Sequence, residues 1–172
     1  MVNKAVVLQA IASNTASLEQ LLTEIYPQLY KTAFLYVKNE SDALDIVQEA
    51  VVKILNKLTT LQQPEYFTTW AIRIVIWTAL DFLKKTQPAA LLDEPRVIQP
   101  LSAEEQLDIY TAIGRLPQHL QEITILHYFY GKKLREISAV FDEPLGTIKY
   151  KLHEARVLLK DYLEEDGSDE TK

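Results

Sequence analysis

Lys149, His153, Arg156 and Lys160 recur at steps of 4, 3 and 4 near the end of a 172-residue chain. On a helix, such steps collect side chains on one face. A face of that kind neutralises phosphates and releases their counterions. Tyr150 and Lys151 add hydrogen-bonding and basic groups near its start, in the half of a helix that enters a DNA major groove. From His127 to Lys160, seven Lys and Arg stand against four Asp and Glu, although the whole chain carries a formal charge of -6. From Asp161 onward the acidic end supplies -5 of that charge, so the basic run is a local feature of a nearly neutral body. Such a tail is expected to be solvated and disordered.

A second set of residues suits single-stranded nucleic acid. In "PEYFTTWAIRIVIWTALDFLKK", Tyr66, Trp70, Arg73, Trp77 and Lys84 follow one another at steps of 4, 3, 4 and 7, with Lys85 beside them. Aromatic rings stack on unpaired bases, a contact worth about 1–3 kcal/mol per base, while cations hold the backbone. The same segment also carries Phe67, Ala71, Ile74, Thr78 and Phe82 at helical spacing, so two faces compete for burial. Both tryptophans can therefore be read as core, or as a platform for bases.

A third set is acidic. In "ESDALDIVQEAVVKILNKL", Leu44, Val47, Val51, Ile54 and Leu58 predict a buried stripe, which turns Asp45, Gln48, Glu49 and Val52 outward. That outer face is either a solvated surface or a docking surface. Ser41 is the predicted N-cap, and Asp42 suits the positive end of the helix dipole.

These groups need helices to position them. Only 4 glycines and apolar residues recurring every three or four positions predict an all-α chain without strands. The predicted organisation is a helical domain over 1–86, a linker over 87–101 punctuated by Pro88, Pro95 and Pro100, a second helical domain over 102–163, and the tail 164–172. In the second domain a helix breaks at Leu116-Pro117 and another closes at Gly131. The stretch "KKLREISAVFDEPLGTIKYKLHEARVLLKDYL" then has helix-turn-helix spacing. Ile148, Leu152, Ala155, Leu159 and Tyr162 define the packed side of the last helix, and Gly146 is read as allowing the two helices to approach closely.

With no cysteine, the chain has neither disulfides nor thiolate metal sites, and it fits a reducing compartment. No apolar run reaches the roughly 18–20 residues of a membrane span, and no cleaved signal is recognisable at the start. The reading is cytoplasmic. No metal, cofactor or small-molecule substrate is expected, and no catalytic residue is assigned. An enzyme with Asp42, Asp45 and Glu49 as metal ligands has only Asp81 as a nearby fourth candidate. A protein-binding adaptor would leave the basic ridge without a purpose.

The whole pattern resembles an extracytoplasmic-function sigma factor, a minimal two-domain member of the bacterial sigma family. The resemblance runs from about Leu18 to Leu163 through three blocks in the family's order: "YPQLYKTAFLYVKNESDALDIVQEAVVKIL", "PEYFTTWAIRIVIWTALDFLKK" and "LPQHLQEITILHYFYGKKLREISAVFDEPLGTIKYKLHEAR". It implies that Asp45, Gln48, Glu49 and Val52 dock on the clamp helices of the β′ subunit of core RNA polymerase. It also implies that Gln62, Gln63, Glu65, Tyr66, Trp70 and Arg73 engage the melted -10 element, with Lys84 and Lys85 on phosphates. Lys149, Tyr150, Lys151, His153 and Arg156 would face the -35 element as duplex, with Lys132 and Lys133 near phosphates. Further implied partners are the β flap and an anti-sigma factor, often membrane-bound. The linker has no room for the extra central domain of larger members.

Three positions depart from the family pattern. Trp77 stands where asparagine is usual, Tyr150 where a small residue is typical, and Glu154 where the residue is often basic. The rival reading is a stand-alone helix-turn-helix regulator acting as a dimer.

Overall fold

The structure, a computed structural model, describes residues 2–86 and 112–169, with side chains as far as Glu164. The linker expected over 87–101 and the helix expected from Ser102 lie outside the described residues up to Thr111. The chain divides into two compact units between Thr86 and Gln87, and the described residues are helical with no strand.

Unit 1 is built of α1 (Lys4–Ile11), α2 (Thr15–Val37), α3 (Glu40–Lys57) and α4 (Phe67–Thr86). Three asparagines start the first three helices. The side-chain oxygens of Asn3, Asn14 and Asn39 accept hydrogen bonds from the backbone N–H groups of Ala5, Ser17 and Asp42 at 2.9, 2.9 and 3.0 Å. Each satisfies a donor that the first turn leaves open. The cap of α3 is thus Asn39 and not Ser41, which lies already inside the first turn. Glu40 and Asp42 at the start of α3 and Lys57 at its end complement the helix dipole.

The packed side of α3 is centred on Ala43, Ile46, Val47, Ala50 and Ile54, while Leu44 and Val51 of the predicted stripe are only half-buried. Ala43 and Ala50 are fully buried, so the packed side is turned by about one residue relative to the leucine pattern. Helix α4 is enclosed along most of its circumference, burying Phe67, Ala71, Ile72, Val75, Ile76 and Ala79 to within 1%. Each such large aliphatic or aromatic side chain contributes about 1.5–3 kcal/mol on burial. Two short helical turns, Leu58–Thr60 and Pro64–Tyr66, connect α3 to α4.

In unit 2, a helical turn over 112–115 leads to Pro117 and α5 (Gln118–Thr124). The buried Gln121 amide donates to the Ile113 carbonyl at 3.0 Å and ties the two together. Helix α5 widens into a π-turn, Ile125–Phe129, in which the Tyr130 N–H reaches the Ile125 carbonyl at 3.3 Å. Gly131 ends it at φ +60, a left-handed conformation that glycine adopts without a Cβ penalty. Then follow α6 (Leu134–Phe141), a turn through Asp142 at φ 52, and α7 (Leu145–Asp169). Residues 164–169 are therefore helical where a disordered tail was expected; extending an established helix needs no new nucleus, even through an acidic run.

Candidate nucleic-acid interface

Packing decides which side of α7 is outward. Ile148, Leu152 and Ala155 are buried to within 2%, while Leu159 and Tyr162 are half-buried, as their spacing predicts. Lys149, His153, Arg156 and Lys160 consequently form one exposed ridge, and Tyr150 beside it is 67% exposed. Gly146 is not placed there for a close approach. It is exposed, and a Cβ built on it would meet nothing within 4 Å.

Two groups on or near this ridge carry partners that the helical spacing does not reveal. Lys151 Nζ donates to both carboxylate oxygens of Glu143, at 2.7 and 2.6 Å, and both side chains are largely enclosed. Arg156 Nε donates to the Tyr128 hydroxyl at 2.6 Å, with the guanidinium 5.8 Å from the ring centroid. Glu143 lies eight residues before Lys151 and Tyr128 twenty-eight before Arg156, so neither partner falls at an i+3 or i+4 step. Lys133 immediately precedes α6 and is exposed, whereas Lys132 pairs with Glu136 at 3.5 Å. His127 Nδ1 lies 2.9 Å from the Lys132 carbonyl and so braces the loop that carries both lysines. Inside unit 2, Ile113, Phe129, Leu159 and Leu163 line an apolar groove of about 590 Å³ bordered by Tyr128 and Arg156.

In unit 1 the tryptophans are not core. Trp70 is half-buried with its ring 6.0 Å from that of Phe67, and Trp77 is 38% exposed. The core needed only the Phe67 face and the face carrying Ile72, Val75 and Ile76, which left this side of α4 outward. The Arg73 guanidinium lies 4.5 Å from the Trp77 ring centroid. Lys84 and Lys85 are exposed in the last turn. Before α4, Gln62 and Gln63 are exposed, Tyr66 is half-buried, and Glu65 pairs with Lys4 of α1 at 3.2 Å. A hydrogen bond from its own backbone, assisted by Lys4, holds the Glu65 carboxyl below the usual carboxylate range.

On α3, Asp45, Gln48, Glu49 and Val52 are all exposed, joined by Leu55 at 39% exposure, which the sequence pattern had not singled out. Lys53 bonds Glu49 at 2.8 Å and also donates to Thr78 at 3.2 Å. The hydrogen bond from Lys53 lowers the Glu49 pKa against a smaller opposing effect of burial. Among the described residues, no group of three or more His, Asp or Glu is arranged to hold a metal ion.

Comparison with known proteins places both units. Residues 21–88 match the family model of Sigma-70 region 2, and residues 106–159 match that of Sigma-70, region 4. RNA polymerase sigma factor SigV of Bacillus subtilis is 35% identical over 150 residues, which span 84% of this chain and 90% of that protein. ECF RNA polymerase sigma factor SigE of Mycolicibacterium smegmatis is 26% identical over 165 residues, 89% of this chain and 64% of that one. The solved structure of CnrH in complex with the cytosolic domain of CnrY shares the fold, with a TM-score of 0.68 at 23% identity over 96% of this chain and 99% of that one.

Proposed function

The chain belongs to the RNA polymerase sigma factors, in their extracytoplasmic-function branch, and on that premise we propose how its two units share the work of promoter recognition. Unit 2 reads the -35 element as duplex, with α7 in the major groove and Lys149, Tyr150, His153 and Arg156 turned toward DNA. Unit 1 docks on the β′ clamp helices of core polymerase through Asp45, Gln48, Glu49 and Val52, with Leu55 extending the contact. Val52 and Leu55 supply apolar area there, and the flanking acids supply charge complementarity.

Bases of the non-template strand leave the stack at a cost of a few kcal/mol each. The loop of Gln62, Gln63 and Glu65, with Tyr66, Trp70 and Arg73, receives them; Lys84 and Lys85 hold the strand. Stacking on an aromatic ring returns about 1–3 kcal/mol per base, enough to balance the unstacking. The protein supplies binding energy and geometry while core polymerase performs the chemistry. The β flap is the partner of unit 2, and an anti-sigma factor covering the two faces is the expected control. No helix of the described residues is long and apolar enough to cross a membrane; attachment to one through that partner is part of the proposed control.

The observation that carries this reading is the α7 ridge, whose cations are exposed because burial of Ile148, Leu152 and Ala155 on the adjacent side turns them outward. Run-off transcription with purified core polymerase on genomic DNA of the source organism tests it: discrete transcripts that need this chain are expected, and their absence would overturn the assignment.

A further inference from the structure

Glu143 stands in the turn of the helix-turn-helix, between Asp142 at φ 52 and Pro144. Its backbone is held at both ends: the Glu143 N–H donates to the Ser138 carbonyl at 3.1 Å, and the Ser138 hydroxyl donates to the Glu143 carbonyl at 2.6 Å. From this anchored position its carboxylate receives Lys151 through both oxygens. The Lys151 side chain is 21% exposed and that of Glu143 29%, whereas Lys160 farther along the same helix meets Glu164 at 3.6 Å in a pair that is 73% and 67% exposed. This is not a loose surface ion pair of the kind that contributes nothing measurable.

We propose that Glu143 sets the DNA affinity of α7 by withholding Lys151 from the phosphates. The inference rests on the reading of α7 as the duplex-facing helix. A phosphate oxygen would have to displace a two-oxygen partner whose backbone is already fixed, and would leave that carboxylate beside the DNA. Lys151 therefore contributes little to counterion release, and binding falls to Lys149, Arg156 and Lys160. The same pair ties the turn to the second turn of α7, which makes Glu143 a positioning residue for the recognition helix. A subunit so restrained binds DNA weakly by itself and depends on core polymerase to hold it at a promoter.

The test is the salt dependence of holoenzyme binding to a duplex carrying the -35 element, measured by fluorescence anisotropy. Glu143→Gln frees one cation and should steepen the log-log slope by about 0.9, about a 3-fold larger loss of affinity between about 50 and 200 mM salt. The Glu143→Gln, Lys151→Met double variant should return to the wild-type slope, which a loss of fold would not produce. Lys151→Met alone should leave the slope unchanged. A slope flattened by about 0.9 in that single variant, or an unaltered slope in Glu143→Gln, would overturn the proposal. Lys149→Ala separates the two levels: a flattened slope keeps α7 on DNA whatever Glu143 does, and an unchanged one sinks the underlying reading.

Discussion

The guanidinium of Arg73 stacks 4.5 Å from the centre of the Trp77 ring, on a side of α4 that the core does not cover. Cation and ring hold each other in place before any nucleic acid arrives. Replacing Trp77 by alanine should weaken retention of the opened strand by about 1–3 kcal/mol, read as lost permanganate reactivity of promoter thymines. Thermal stability should fall less than it would for a fully buried tryptophan, since Trp77 is 38% exposed. Phenylalanine, which keeps a flat ring, should restore part of the signal. Full reactivity in the alanine variant would remove Trp77 from base capture.

In the proposed docking surface the acidic and apolar groups of α3 act together. Charge reversal at Asp45 and Glu49 should abolish co-purification with core polymerase while far-UV circular dichroism stays unchanged. Val52→Asp should do the same without lowering the melting temperature, because Val52 is 56% exposed. Retained association in all three variants would place the docking surface elsewhere.

The Glu49–Lys53 pair has a pH signature of known sign. The hydrogen bond from Lys53 holds the folded pKa of Glu49 below its ordinary carboxylate value, so the pair's contribution is complete above that ordinary value and is lost as pH falls through the lower folded pKa. For an exposed i,i+4 pair the contribution is about 0.3–0.5 kcal/mol. Denaturant titrations of wild type and Glu49→Gln should differ by that amount at neutral pH and converge in acid. A difference that grew toward low pH would contradict the assignment.

Two glycines should respond with opposite sign. Gly131→Ala meets no atom within 4 Å but must hold φ +60, a strain of about 1–2 kcal/mol. Gly146→Ala, in open space within α7, should stabilise unit 2 by up to about 1 kcal/mol through helix propensity. Thermal melts of the two variants check both.

The elements were legible where burial follows a helical period. Ile148, Leu152 and Ala155 oriented α7 correctly because nothing competes with them for the interior. Helix α3 was oriented one residue off, since periodicity weighs leucines over alanines, and here Ala43 and Ala50 are fully buried. The α3 cap was misplaced because Asn39 and Ser41 are both competent caps and only geometry separates them. Helix α4 was ambiguous because both faces are apolar, and packing of its neighbours decided the matter. The ridge was legible as a set of charges, but its pairing was not: Glu143 reaches Lys151 across a turn and Tyr128 reaches Arg156 from another segment.

The central claim is that α7 meets duplex DNA while unit 1 holds the polymerase, and the Lys149→Ala, Arg156→Ala double variant tests it most directly. Assayed as holoenzyme, it should keep its association with core polymerase, lose promoter-dependent run-off transcripts, and flatten the salt dependence of promoter binding by about 0.9 in log-log slope for each phosphate contact removed. Wild-type transcript levels with an unchanged slope would contradict it.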